Sequence, residues 1–143
     1  MTTVTTTELR GTPIHVVLLL GSNVDAEARM DAALAELGSQ FALIARSARH
    51  PSAASGVDGA PPYLNQAVVI ESNAERQSLK ARLREIEAHL GRLRPSPDPR
   101  LCPIDIDAIG RCGATFEVWD PKAFSADYAR LPLIELGTFC TLP

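Results

Sequence analysis

YLNQAVVIESNAERQSLKARLREIEAHLG, residues 63–91, changes its hydrophobic rhythm halfway along. Tyr63 to Ser72 is rich in apolar and β-branched residues and free of glycine and proline, which predicts a strand. Leu79, Leu83, Ile86 and Leu90 then recur at the spacing that lines one face of a helix. Between the two lies Ser72-Asn73-Ala74-Glu75, which fits a capping box. In that motif a hydroxyl and a carboxylate satisfy the free N–H groups at a helix start. Gly91 predicts a helix end in the left-handed conformation.

The flanks extend this strand–helix unit in both directions. Upstream, His50 to Pro62 (HPSAASGVDGAPP) predicts a long loop. Before it, Phe41 to Arg49 predicts a strand with Phe41, Leu43, Ala45 and Ser47 on one face. Met30, Ala33, Leu34 and Leu37 predict a helix from about Asp25, with Gly38 as its stop. The run IHVVLLL, Ile14 to Leu20, suits a central strand buried on both faces. Downstream, Arg92 to Pro103 is a second long loop, carrying four prolines. Ile104 to Ile109 predicts a strand, Phe116 to Trp119 a further one, and Pro121 onward a short helix before LPLIEL. The order strand, helix, strand, strand, helix, strand predicts an α+β fold. It is the ferredoxin-like βαββαβ arrangement, a four-stranded sheet with both helices on one face, here with a small C-terminal extension. The Thr-rich residues 1–13 are expected to be a flexible tail and residues 14–143 a single domain.

Composition narrows the function. The chain of 143 residues has 45% hydrophobic and 22% charged residues and a formal net charge of -3. That balance suits a soluble domain and argues against bulk attraction to nucleic acid. The apolar run at Ile14 is far too short to span a bilayer, so no membrane partner is expected and the cytoplasm is the expected location. Three cysteines, Cys102, Cys112 and Cys140, have no Cys-x-x-Cys spacing, which fits a reducing compartment and no zinc site. His15, His50 and His89 are scattered. Monomer and homodimer are equally compatible with these features.

Chemistry gathers in GRLRPSPDPRLCPIDID, residues 91–107. Asp105 and Asp107 are two residues apart on a strand, so both carboxylates project to one face, roughly 7 Å apart. Alone, an Asp-x-Asp reads more readily as a solvated strand face. Arg92, Arg94 and Arg100 close by change the balance, because guanidiniums fork onto phosphate oxygens while paired carboxylates suit Mg²⁺. Glu87, five residues before Arg92, reads first as a solvent-exposed Glu on an amphipathic helix, and otherwise as a group that orients an arginine or accepts from a ligand. Tyr63 and Asn65 share a strand face and offer a ring and an amide to a flat heterocycle. Gly21, between a strand and a helix, reads either as a turn or as backbone N–H groups facing an anion. No dinucleotide or P-loop glycine pattern is present.

LLLGSN, YLN, IEAHLGRLR and IDID, in that order from Val16 to Ile109, resemble the 6-hydroxymethyl-7,8-dihydropterin pyrophosphokinase family. The resemblance implies a ferredoxin-like fold and transfer of pyrophosphate from ATP to the pterin hydroxymethyl group, releasing AMP in folate biosynthesis. It implies two Mg²⁺ ions, ATP as co-substrate, and small-molecule partners only. By position it makes Asp105 and Asp107 the metal ligands and, with Arg92 and Arg94, the catalytic set. Glu87, Arg92, Arg94 and Arg100 fall on the nucleotide side. Tyr63, Asn65, Tyr128 and Gly21 fall on the pterin side. The chain departs from the family at four places. Pro99 and Cys102 stand where a tryptophan and an arginine are expected, and Asp120 and Ala126 where a histidine and an arginine are expected. These departures leave a second reading, a catalytically impaired pterin-binding paralogue acting as carrier, regulator or subunit.

Overall fold

The computed structural model describes residues 14–54, 58–113 and 115–137. The predicted tail, residues 1–13, lies outside them. Six strands form one antiparallel sheet: β1 His15–Ser22, β2 Leu43–Arg46, β3 His50–Ser52, β4 Tyr63–Glu71, β5 Asp105–Cys112 and β6 Phe116–Val118. The order is β2-β4-β1-β5-β6, with β3 also paired to β4. Four α-helices complete the described residues: α1 Ala26–Gln40, α2 Arg76–His89, α3 Pro121–Phe124 and α4 Arg130–Glu135. A 3-10 turn at Asp127–Ala129 precedes α4.

The apolar run at β1 becomes the centre of the sheet because it can bury both faces. Val16, Leu18 and Leu20 meet Val68 and Ile70 of β4, Ile106 of β5, Met30 and Leu37 of α1, and Leu79, Leu83 and Ile86 of α2. Both long helices thus cover one face. Val17 and Leu19 point the other way, against Ala67, Val69 and Ile109, and are covered by Ala123, Ala129, Leu133 and Leu136 of the C-terminal segment. Removing one such fully buried leucine side chain typically costs about 2–5 kcal/mol.

The structure corrects several local expectations. The sheet has six strands, not four, because β3 and β6 add short pairs at its margins. Phe41 to Arg49 is not one strand. A register shift between Leu43 and Ala45 breaks the alternation, so Phe41 joins the helix-side core while Ile44 and Ala45 pack on the other side. The start of the supposed loop, His50–Ser52, is a strand because Asn65, Leu64 and Tyr63 offer it an edge. Gly38 does not stop α1, which runs to Gln40. The capping box does not form. Ser72 accepts from the N–H of Ala74 at 3.1 Å, and α2 begins later, after an N-cap Glu75 with no side-chain cap bond.

Gly91 does end α2 in the left-handed conformation, with φ 101. A Cβ there would collide with Arg29, whose guanidinium donates to the carbonyl of Leu90 and ties α1 to the end of α2. Cys112 is disulfide-bonded, which departs from the reducing compartment that the cysteine spacing suggests, and Cys102 is the free cysteine among the described residues. No helix among the described residues is long and apolar enough to cross a membrane.

Candidate active site

Sheet register assembles the first half of the site. Gly21 pairs with Asn65 on one side and Asp105 on the other, so the three sit in one row across β4, β1 and β5. Directly opposed residues share a face, and this face is the one that α1 and α2 leave uncovered. A Cβ on Gly21 would lie 3.3 Å from Asn65 Oδ1 and 3.6 Å from the Tyr63 ring, so the glycine keeps the floor of a cleft open. That cleft, about 210 Å³, is lined by Gly21, Ser52, Tyr63, Asn65, Asp105, Asp107 and Tyr128.

The polar groups of this cleft are held firmly. Asn65 Nδ2 donates to Ser52 Oγ at 2.7 Å and to the carbonyl of His50 at 3.2 Å. Burial, then the Cys102 thiol hydrogen-bonded to it, push the Tyr63 hydroxyl up to about 12. Burial and the Asp107 carboxylate also raise the Tyr128 hydroxyl. Both rings are therefore neutral, half-exposed surfaces at any ordinary pH.

Asp105 and Asp107 emerge together, as their spacing predicts, with Ile104 and Ile106 buried behind them. Burial and the neighbouring Asp105 carboxylate push the Asp107 carboxyl up to about 8. Arg92 answers only one of the pair: its Nη1 lies 3.0 Å from Asp105 Oδ1 and 3.0 Å from the carbonyl of Ile104.

A second cleft, about 170 Å³, opens between α2 and β5. Arg76, Lys80, Arg84 and Arg94 line it, with Glu87, Asp107 and Asp120. Arg76 is braced by the Trp119 carbonyl and stacks on the Trp119 ring. Among the described residues, Lys80 and Arg84 make no ion pair or side-chain hydrogen bond. Asp107 borders both clefts, so the two meet at the carboxylate pair.

The site residues expected from sequence therefore divide. Gly21, Tyr63, Asn65, Asp105, Asp107 and Tyr128 converge on the first cleft. Glu87, Arg94 and Asp107 face the second, and Arg92 is tied to Asp105. Arg100 does not join them. Its guanidinium pairs with Asp98 at 2.8 Å on the surface of the proline-rich loop. Cys102 comes close instead, and burial raises its thiol while Arg92 opposes the shift.

Sequence reasoning missed the helix cations Arg76, Lys80 and Arg84 of the second cleft, and two residues that brace the site. Asn23 reads as a turn residue, yet it clamps both long loops to the end of β1. Its amide donates to the carbonyls of Pro61 at 3.2 Å and Arg100 at 2.8 Å, and its oxygen accepts from Cys102 N–H at 2.7 Å. Ser52 sits in what reads as loop but holds Asn65. The available signal was weak in both cases, because the partners lie far along the chain.

The family model for 7,8-dihydro-6-hydroxymethylpterin-pyrophosphokinase (HPPK) matches residues 17–138, and the chain belongs to this family. A comparison with curated proteins gives no match.

Proposed function

For this member of the family, we propose transfer of pyrophosphate from ATP to 6-hydroxymethyl-7,8-dihydropterin, giving the pterin diphosphate and AMP in the folate route of the cytoplasm. One observation carries the reading: a cleft walled by two tyrosines and an asparagine meets a cleft lined by cations, and a carboxylate pair stands at their junction. An acceptor heterocycle on one side and a polyphosphate donor on the other would bring hydroxyl and phosphate together there. The sheet that carries the site follows the ferredoxin-like plan, with β3 and β6 as additions.

Tyr63 and Tyr128 would hold the flat pterin between ring faces. The amide nitrogen of Asn65 is committed to Ser52 and His50, which leaves its carbonyl oxygen to accept from the heterocycle. Arg94, and Arg92 beside Asp105, would neutralise the phosphate chain. The protein's work is then alignment and charge balance, with no covalent intermediate on any side chain.

The carboxylate pair fits a divalent cation. Two acidic groups share a partly buried position, Arg92 answers only Asp105, and burial, then the Asp105 carboxylate, push the Asp107 carboxyl up to about 8. Asp105 and Asp107 would hold Mg²⁺, which suits hard oxygen donors. When bound, Mg²⁺ supplies neutralisation of the phosphate oxygens.

A second reading, an impaired pterin-binding paralogue, is favoured by the nucleotide side. The Arg100 guanidinium is turned to Asp98, and Cys102 stands in place of a family arginine. The deciding experiment is AMP formation from ATP and Mg²⁺ with and without 6-hydroxymethyl-7,8-dihydropterin. Pterin-dependent AMP supports the pyrophosphokinase. Pterin binding without AMP supports the paralogue.

A further inference from the structure

Among the described residues, Glu87 is the only ionisable side chain in the fully buried set, at 2% exposure. Its place is unfavourable for an anion. It sits in the last turn of α2, where the helix dipole is negative, and it has lost its water. Such a carboxylate persists only if other groups answer its charge. Three do, and they come from the two segments that build the junction of the clefts. The N–H of Ile106, the residue between the two aspartates, donates to Oε2 at 2.7 Å. Arg94 Nη2 lies 2.9 Å from Oε1, as an ion pair without hydrogen-bond alignment. Arg92 Nη1 lies 3.9 Å from Oε2 and continues to Asp105. One side chain thus joins the end of α2, both loop arginines and the start of β5.

We propose that Glu87 is a positioning residue that sets Arg92, Arg94 and the Asp105–Asp107 segment in one register, and not the nucleotide contact its place in the family motif implies. It borders the second cleft, but at 2% exposure, with Oε2 held by the Ile106 N–H and Oε1 paired with Arg94, it has little surface for a nucleotide hydroxyl or amino group, and as an anion it repels phosphate. The unaligned Arg94 contact leaves that guanidinium able to turn toward a phosphate while its charge stays balanced. This inference rests on the pyrophosphokinase reading.

The test uses the full chain with Glu87→Gln, Arg94→Gln and the double variant. Gln keeps an acceptor for the Ile106 N–H but removes the charge; Glu87→Asp, which keeps the charge, replaces it if the Gln variant does not fold. A positioning role predicts a kcat lower by about 10–100-fold, as for other groups that orient metal ligands, with KM for MgATP within about threefold. It also predicts that the double variant loses less than the product of the two single losses, because part of the Glu87 effect runs through Arg94 and the rest through Arg92 and Ile106. A KM raised tenfold or more at unchanged kcat, or additive losses, would overturn it. If the wild-type chain turns nothing over, the functional reading fails on its own account. The positioning role is then read from guanidinium NMR of the free protein. Slow rotation of Arg92 and Arg94 that is lost in Glu87→Gln supports it, and rotation unchanged by the substitution overturns it.

Discussion

The two clefts are built by different means. The first takes Gly21, Asn65 and Asp105 from three hydrogen-bonded strands, so their spacing is set by sheet register. The second takes its cations from α2 and from the loop that follows it, and the loop's position depends on side-chain ties to Glu87 and Asn23. All four departures from the family pattern, Pro99, Cys102, Asp120 and Ala126, lie in loops or in the C-terminal segment. The difference teaches that a strand-borne site is protected by the backbone ladder, whereas a loop-borne site can change residue by residue without disturbing the fold.

The largest test of this contrast is at the junction. Asp105→Ala and Asp107→Ala should each lower AMP release by on the order of 10³-fold, since both the phosphate charge and its alignment depend on the pair. Turnover retained in both variants, measured by chromatography of AMP, would remove the metal assignment.

Next comes the clamp that joins the two regions. Asn23→Ala deletes bonds to Pro61, Arg100 and Cys102, and at about 1 kcal/mol per bond should cost roughly 2–3 kcal/mol in denaturant unfolding. A loss under about 0.5 kcal/mol would show that the loops are held by something else.

A smaller change separates the clefts kinetically. Gly21→Ala places a methyl 3.3 Å from Asn65 Oδ1, which must give way. We expect KM for the pterin to rise about tenfold, the equivalent of about 1.4 kcal/mol, while KM for MgATP moves less than about twofold. Equal changes in both constants would mean that the clefts are not independent.

The smallest effect lies where α4 meets β3. Glu135 of α4 accepts from the N–H of Ala48 and meets His50 of β3 at 2.7 Å. The Ala48 N–H, then His50, hold its carboxyl below its ordinary value. Its contribution should therefore be fully present above the unfolded pKa of about 4.3 and be lost as pH falls through the depressed folded value. The stability gap between wild type and Glu135→Gln, from urea curves at several pH values, should narrow on acidification below that point. A gap that widens there would mean that folding raises the Glu135 carboxyl and does not lower it.

Much of this protein was legible from its residues. The Leu79, Leu83, Ile86 stripe and the Gly91 stop define α2, and all three apolar side chains are buried. The Asp105–Ile106–Asp107 alternation places carboxylates outward and isoleucine inward. What failed was local where it depended on a distant edge. Neither the split of Phe41–Arg49 nor strand β3 can be read without knowing that β4 lies alongside.

The sequence by itself determined the order of the main elements, the buried centre of the sheet and the carboxylate pair. Each is written in a repeat of 2 or 3.6 residues, which a chain carries in one dimension. Only the tertiary structure decided that Arg100 stays outside both clefts, that Asn23 clamps two loops, and that Glu87 is buried among arginines. Those facts depend on hydrogen bonds and charge pairs between positions far apart in sequence, whose geometry exists only once the sheet has brought them together.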